Sequence, residues 1–419
     1  MTSYLSPNSD SKPHYALLDG LRGVAALIVV WYHIFEGYQF AGQKAIIDFA
    51  NHGYLAVDFF FILSGFVVGY AYDSRWGKTL SLGGFFKRRI IRLHPMVIMG
   101  TIIGAASFAI SGNSRWDGTQ SSTAMLLVAM LCGMLMLPAL PGAPREVRGN
   151  GEMFPLNGPC WSLFFEYIGN IVYALVLRRL GTRALAVLTA VLGIALTWFA
   201  VTDASTYGSI CVGWTIDSVN VFGGSLRMLF PFTMGLLLSR LFNPARSIRG
   251  IFWICTIALV MLFHVPFIGS SGNICLNGIF EMACIIVIFP AIVWFAASGK
   301  TSDAWSTKIC ALLGNLSYPL YMVHYPIMYL FYKWLIQTRQ YSFGETWQVA
   351  LAVYASSLLL AWACMKFYDI PVRRWLAHRK CHDPPFWKLW AKNICRNVKK
   401  CIFFCIKALI FGFETKKIC

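Results

Sequence analysis

Apolar runs of about 17 to 25 residues, the length of helices that cross a bilayer, recur along almost the whole chain. Short polar segments separate them. The pattern predicts an all-α protein, a polytopic transmembrane helical bundle of about ten spans. The predicted spans are residues 16–38, 53–72, 96–111, 156–177, 184–202, 222–240, 250–267, 278–297, 309–333 and 347–366.

The basic segments between these runs set the expected orientation. Lys and Arg gather in residues 73–95, 178–183, 240–249 and 298–308 and after Lys366. The positive-inside rule places all of them, and both termini, in the cytoplasm. A further apolar run, Thr123 to Pro138, would reverse this order if it crossed the membrane, so it is predicted to be re-entrant or interfacial. Such backbone needs a covering of protein or a cavity, which we expect near residues 123–160.

Composition supports a membrane protein and argues against other classes. The 419 residues are 57% hydrophobic and 13% charged, with a formal net charge of +18. In a soluble chain this charge would favour nucleic acid, but the topology rule already explains it, so no nucleic-acid partner is expected. The thirteen Cys are scattered without a CxxC pair, which favours neither a disulfide framework nor a metal site.

The chain divides into three predicted parts. Residues 1–15 are polar and lack the features of a signal peptide, so they form a cytoplasmic segment before a retained first span. Residues 16–370 form the membrane domain. Residues 371–419 alternate basic with apolar side chains, which predicts an amphipathic cytoplasmic tail on the lipid surface.

The first span carries two ionisable residues on one face. Arg22 and His33 lie eleven residues apart, close to three whole turns, so their side chains are stacked about 16 Å apart along the helix. Charged groups in the bilayer usually mark a functional path. Asp19 and Glu36 lie three residues from Arg22 and His33, within contact range. Alone, His33 would fit an ordinary interfacial polar residue; its position above Arg22 favours a role in the path.

The second span buries Asp58 and Ser64 among aromatic residues. A carboxylate there needs a partner. Asp58 is predicted to pair with a cation of the first span or to orient His33; the alternative is a structural ion pair between helices. Ser64 and Gly65 indicate close helix packing rather than a nucleophile.

Three arginines follow at the predicted cytoplasmic boundary, within FFKRRIIRLHP. Arg88 and Arg92 are one turn apart, with Arg89 between them. Guanidinium groups suit bidentate binding of phosphate, so the segment is a candidate site for a ligand with several phosphates. The alternative is that these arginines bind no ligand and only follow the positive-inside rule.

Two later spans add polar groups at membrane depth. In the fourth, Glu166 and Asn170 share a face, and Trp161 and Ser162 precede them. A buried Glu transfers a proton or pairs with an arginine. The ninth span contributes Tyr318 and His324, although tyrosine-rich spans are often only interfacial belts.

Five of these segments, in this order, resemble the acyltransferase-3 family of multi-pass membrane acyltransferases. They are LDGLRGVAALIVVWYH with Arg22 and His33, GYLAVDFFFILSGF, RRIIRLHP, PCWSLFFE and LSYPLYMVHYP. The resemblance implies an acyl-CoA donor, commonly acetyl-CoA, reached from the cytoplasm. It also implies a hydroxyl acceptor on a carbohydrate or lipid-linked glycan, and a place in the bacterial inner membrane. No further cofactor is expected.

The resulting hypothesis places the phosphates of CoA on Arg88, Arg89 and Arg92. His33 is the general base or the acyl carrier, and Arg22 stabilises the oxyanion or positions the donor. Asp58 and Glu166 are candidates to orient His33 or a proton. The candidate substrate-binding residues are Trp161, Ser162, Asn170, Tyr318 and His324. The competing class is a transporter or flippase, because intramembrane charges also line substrate pathways.

Overall fold

The computed structural model describes residues 15–42, 52–242, 249–301 and 303–378. Long helices account for most of this part of the chain. They are α1 (Ala16–Gly42), α2 (Ala56–Tyr72), α3 (Leu82–Ile110), α4 (Thr123–Met134), α5 (Cys160–Leu175), α6 (Thr182–Val201), α7 (Ser218–Leu241), α8 (Ile251–Phe263), α9 (Leu276–Met282), α10 (Phe289–Ser298), α11 (Ala304–Thr338), α12 (Phe343–Cys364) and α13 (Ile370–His378). A two-stranded hairpin pairs β1 (Ser270–Ser271) with β2 (Ile274–Cys275).

The predicted fold class is confirmed, with fewer clear spans than expected. Eight helical segments are long and apolar enough to cross a membrane, among the described residues. The predicted span 250–267 contains only the 13-residue α8, which at about 1.5 Å per residue is shorter than the hydrocarbon core. The 35-residue α11 is long enough but less apolar, because polar side chains interrupt it.

Two span boundaries differ from the prediction in ways that matter for the site. α3 begins at Leu82 rather than near residue 96, and its N-cap Ser81 accepts a hydrogen bond from the backbone of Gly84 at 3.1 Å. The three arginines therefore lie within a helix. The last apolar segment continues through a π-helical turn, Met365–Asp369, into α13. Most of the predicted 371–419 tail, from residue 379 on, lies outside the described residues, as do residues 1–14 of the predicted cytoplasmic segment 1–15.

The leftover apolar run, predicted to be re-entrant or interfacial, forms a short helix. α4 has 12 residues, about 18 Å of helix, so it does not span the hydrocarbon core. It packs against α3, and an irregular segment over residues 135–159 leads from it to α5. A small cavity lies beside it, in the predicted region.

Small residues bring the central helices together. A Cβ at Gly65 of α2 would lie 2.0 Å from the carbonyl oxygen of Phe232 on α7, and a Cβ at Gly235 of α7 equally close to that of Ile62. On the other side, a Cβ at Gly23 of α1 would lie 2.5 Å from the carbonyl oxygen of Leu313 on α11. The contact at Gly23 holds α1 against α11, and the interface between these two helices contains the candidate site.

Candidate active site

The helix α1 presents Arg22 and His33 to the same neighbour, α11. Arg22 donates from Nε to Ser317 Oγ at 2.9 Å and from Nη2 to the Gly314 carbonyl oxygen at 3.2 Å. Eleven residues further along α1, the His33 ring stacks on that of His324, with centroids 5.2 Å apart. The predicted shared face is therefore confirmed.

His33 is held by a carboxylate on its own helix. Its Nδ1 lies 2.7 Å from Oε2 of Glu36, at the predicted spacing of three residues. The same oxygen accepts hydrogen bonds from Tyr332 at 3.0 Å and Tyr325 at 3.3 Å. A neutral His33 that donates Nδ1–H to Glu36 carries its lone pair on Nε2, the arrangement of an oriented base or nucleophile.

His324 adds a second imidazole with a defined tautomer. It is fully buried, and its Nδ1 lies 2.9 Å from the Leu320 carbonyl oxygen. Since a carbonyl only accepts, Nδ1 carries the proton and Nε2 is an acceptor. That nitrogen has no hydrogen-bond partner among the described residues. The site therefore offers a buried acceptor beside His33.

The face of α1 from Arg22 to His33 forms a polar stripe. At its Arg22 end, Arg22 belongs to a charged cluster. Its Nη2 lies 2.8 Å from Oδ1 of Asp19, the other predicted contact. The charges of Arg92 and Arg373 also act on Arg22. Arg373, on α13, pairs with Asp369 at 2.6 Å. This end of the α1–α11 interface therefore gathers cations from α1, α3 and α13.

The three arginines of α3 have different environments. Arg89 is buried, and its Nη2 bonds Oε1 of Glu166 at 2.6 Å. Arg88 and Arg92 are exposed. The prediction that all three form one phosphate-binding surface therefore needs a correction. Arg89 points into the protein, where the half-buried carboxylate of Glu166 neutralises its charge.

Glu166 and Asp58 have partners other than His33. Glu166 accepts from Ser64 at 2.9 Å as well as from Arg89. Asp58 forms a two-point ion pair with Arg227 of α7, at 2.6 and 3.1 Å, and both are fully buried. The predicted partners of Asp58, a first-span cation or His33, are therefore wrong; Glu36 occupies the place beside His33.

The other predicted substrate residues are dispersed. Ser162 and Tyr321 share a hydrogen bond of 2.7 Å, and the Tyr321 ring centroid lies 6.0 Å from that of His324. Tyr318 donates to the Leu93 carbonyl oxygen at 2.5 Å, and Asn170 donates to that of Glu166. Trp161 packs over the Arg227 guanidinium, 5.3 Å away. Only Ser162 thus approaches the imidazole pair.

Sequence reasoning passed over Arg227 and the loop residues Arg148 and Glu152. Arg227 carried a usable signal, an arginine within a predicted span. Arg148 and Glu152 lie in the irregular segment 135–159, and both are buried. Arg148 stacks on the Tyr329 ring at 3.4 Å, while Tyr329 donates a hydrogen bond to Glu152.

Glu152 gives the fold a pH dependence. Burial raises its pKa from an ordinary 4.5 to about 7, despite its bonds to Tyr329 and Asn150. Between pH 4.5 and 7 the folded state then keeps a proton that the unfolded state has lost. The contribution of Glu152 to stability is therefore largest below pH 4.5 and falls, by up to about 3 kcal/mol, as the pH rises to 7.

Glu152→Gln is expected to flatten this dependence, because the amide stays neutral at every pH. Thermal unfolding in detergent at pH 5 and pH 8 measures it, with the exposed Asp117→Asn as the matched control. An equally steep loss of stability in Glu152→Gln and wild type would contradict the assignment.

Comparison with known proteins identifies the family. The model of a family described as an acyltransferase domain matches residues 15–366. The chain is 25% identical over 388 residues to the peptidoglycan O-acetyltransferase OatA of Listeria monocytogenes, covering 87% of this chain and 56% of the relative. The chain thus spans little more than half of that protein.

Two further relatives cover different shares. The acyltransferase MdmB of Streptomyces mycarofaciens is 24% identical over 400 residues, covering 87% of this chain and 92% of the relative. Protein 2 in the picA locus of Rhizobium radiobacter is 38% identical over 184 residues, covering 42% of this chain and 87% of the relative. No solved structure gives a significant match. On the family match and the helical membrane fold, the chain belongs to the acyltransferase-3 family and is a multi-pass membrane acyltransferase.

Proposed function

We propose that the protein transfers an acyl group, in the first instance acetyl, from acyl-CoA to a hydroxyl of a carbohydrate or glycosylated acceptor. The observation that carries this proposal is the pair of His33 and Glu36 beside the buried Nε2 of His324. The names of its relatives, which include a peptidoglycan O-acetyltransferase, support the class of reaction. The acceptors in those names belong to the relatives; this chain's acceptor is part of the proposal.

In the proposed reaction His33 Nε2 takes the proton of the acceptor hydroxyl as its oxygen attacks the thioester carbonyl. The carbon–oxygen bond forms, the carbon–sulfur bond breaks, and the imidazolium returns the proton to the thiolate of CoA. Glu36 holds the His33 tautomer and stabilises the positive ring. His324 Nε2 accepts a hydrogen bond from substrate.

A second route uses the same nitrogen. His33 Nε2 attacks the thioester carbonyl first, the carbon–sulfur bond breaks, and CoA leaves as the thiolate. The hydroxyl oxygen then attacks the acyl-histidine, the carbon–nitrogen bond breaks, and the hydroxyl proton goes to the released thiolate. Mixing enzyme and labelled acetyl-CoA without acceptor separates the routes, because only the second leaves label on the protein.

The donor is proposed to enter at the arginine-rich end. Arg22, Arg92 and Arg373 come from three helices. Among the described residues, Asp19 pairs with Arg22 and Asp369 pairs with Arg373. Phosphate oxygens suit this excess of guanidinium charge. The positive-inside rule assigns this end to the cytoplasm, where CoA is present. Both termini would then be cytoplasmic.

Arg92→Ala is expected to weaken CoA binding by about 10- to 100-fold, the effect of losing one charge-assisted contact. Isothermal titration of purified protein with CoA at low and high salt measures it, and the wild-type affinity should fall as salt rises. Lys87→Ala, which removes an exposed cation from the same helix, is the matched control. If Arg92→Ala and Lys87→Ala bind CoA with equal affinity, Arg92 does not contact CoA and its charge only sets the orientation of the helix in the membrane.

A further inference from the structure

Two tyrosines of α11 contact the His33–Glu36 pair, and the proposed reaction gives them no role. Tyr325 and Tyr332 lie seven residues apart, close to two whole turns, so both side chains face α1. Tyr332 is 3% exposed, and Tyr325 is half-buried. Both side chains therefore belong to the interface in which the candidate base lies.

Each tyrosine makes one contact with Glu36 and one with His33. Tyr325 donates to Oε2 of Glu36 at 3.3 Å, and its ring packs edge-on against the His33 ring, with centroids 4.8 Å apart. The Tyr332 hydroxyl lies 3.0 Å from the same Glu36 oxygen and 2.6 Å from the His33 carbonyl oxygen. The two side chains therefore fix the carboxylate relative to both the ring and the backbone of His33.

A glycine of α1 makes room for one of these rings. A Cβ at Gly37 would lie 2.6 Å from Cδ1 of Tyr332, well inside the contact distance of two carbon atoms. The ring is not free to move aside, because Tyr332 is buried and also packs against Phe40 and Tyr325, with ring centroids 5.9 and 6.1 Å apart. The missing side chain at residue 37 thus lets the Tyr332 hydroxyl reach Glu36.

The charge of Glu36 explains why it needs several donors. In the described part of the chain, its ion-pair partner is His33. While His33 is neutral and acts as a base, that partner carries no positive charge, and a partly buried carboxylate is then stabilised by hydrogen-bond donors. The two phenols supply such donors and carry no charge themselves, so they leave His33 neutral.

We propose that Tyr325 and Tyr332 are positioning residues that act on His33 through Glu36. They hold the carboxylate in one place as an anion, so that the proton of His33 stays on Nδ1 and the lone pair of Nε2 stays available to the substrate. Gly37 takes part because it admits the Tyr332 ring. This inference rests on the proposed acyl transfer and adds the residues that keep its base oriented.

Steady-state kinetics separate positioning from substrate binding. We expect Tyr325→Phe and Tyr332→Phe each to lower kcat about 10-fold, the effect of losing one hydrogen bond to a charged group, with KM for acetyl-CoA unchanged. Gly37→Ala, which keeps every polar group, should lower kcat in the same way. Tyr354→Phe is the matched control, because it removes a phenol that donates to the Leu27 carbonyl oxygen of α1 at 3.5 Å, and it should keep the wild-type kcat.

A double-mutant cycle tests whether the phenols act through the carboxylate. In a Glu36→Ala background, Tyr332→Phe should lower kcat no further, although it lowers kcat when Glu36 is present. An equal loss of kcat with and without Glu36, or a higher KM at constant kcat, would overturn the proposal.

A second measurement needs no substrate. The ring nitrogens of His33, labelled with ¹⁵N and assigned by their loss in His33→Gln, report by NMR which nitrogen carries the proton. We expect the Nδ1 signal to shift in Tyr332→Phe and Gly37→Ala and to keep its position in Tyr354→Phe. An unshifted signal in the first two variants would overturn the proposal. Absence of thiol release from the wild-type protein would instead overturn the proposed acyl transfer, and the NMR result would still decide whether the tyrosines orient His33.

Discussion

His33→Gln is expected to lower the rate of acyl transfer by about 10²- to 10⁴-fold while leaving CoA binding unchanged. The reason is the position of the ring. Glu36 fixes Nδ1, so Nε2 is the nitrogen available to take a proton or an acyl group. The proposed CoA contacts lie about 16 Å away at the Arg22 end, beyond the reach of this side chain. Thiol release from acetyl-CoA in the presence of acceptor gives the rate, and titration with CoA gives the affinity.

His264→Gln is the matched control for this result. His264 directly follows α8, its side chain bonds the Val260 carbonyl oxygen of that helix, and it takes no part in the proposed site. Wild-type rates are expected for it. Full activity in His33→Gln would remove His33 from the chemistry, whatever the fate of the control.

Asp58→Ala is expected to destabilise the protein by about 3–5 kcal/mol, because it leaves a fully buried arginine without its counter-charge. Arg227 is 1% exposed, and its remaining hydrogen bonds run to the backbone carbonyl oxygens of Val212 and Tyr54. Those neutral acceptors do not replace a carboxylate. Thermal unfolding in detergent, followed by loss of helical signal, measures the change.

Removing both charges separates a structural pair from a catalytic residue. The double variant Asp58→Ala, Arg227→Met should recover much of the lost stability, since no unpaired charge remains. Asp117→Ala, in an exposed loop, should be neutral. Wild-type stability in Asp58→Ala combined with abolished acyl transfer would contradict the structural role and return Asp58 to the site.

Local spacing predicted the α1 part of the site well. The interval between Arg22 and His33 and the two intervals of three residues depend only on helical geometry, and α1 is one uninterrupted helix over all of them. The prediction that the run Thr123 to Pro138 does not cross the membrane came from the alternation of basic loops. In each case a repeating local rule was sufficient.

Partners on other helices could not be predicted from spacing. Asp58 and Arg227 are 169 residues apart in sequence, and Arg89 and Glu166 are 77 apart. Hydropathy shows that each charge needs a partner, but the choice depends on how helices pack. Here the close approach of α2 and α7 at Gly65 and Gly235 brings Asp58 to Arg227 rather than to His33.

The predicted spans differ from the observed helices α3 and α8 for a different reason. The predicted span 96–111 excluded the arginines because charges lower the hydropathy of a window, although arginine is a good helix former and α3 begins at Leu82. α8 was predicted to be a span because its residues are strongly apolar, yet the structure ends the helix at Phe263. Apolarity measures the preference for lipid, and helix length is a separate property.

In the proposed reaction, the stripe from Arg22 to His33 carries an acyl group from a thioester to a hydroxyl. The most direct measurement uses purified protein in proteoliposomes, acetyl-CoA labelled in the acetyl group, and a peptidoglycan disaccharide as first acceptor. Free thiol and labelled acetyl ester are counted together. We predict one ester for each thiol released, with both lost in His33→Gln. Passage of intact CoA across the membrane without thiol release would contradict the proposed acyl transfer. Ester formation in His33→Gln equal to that of the wild type would contradict it as well.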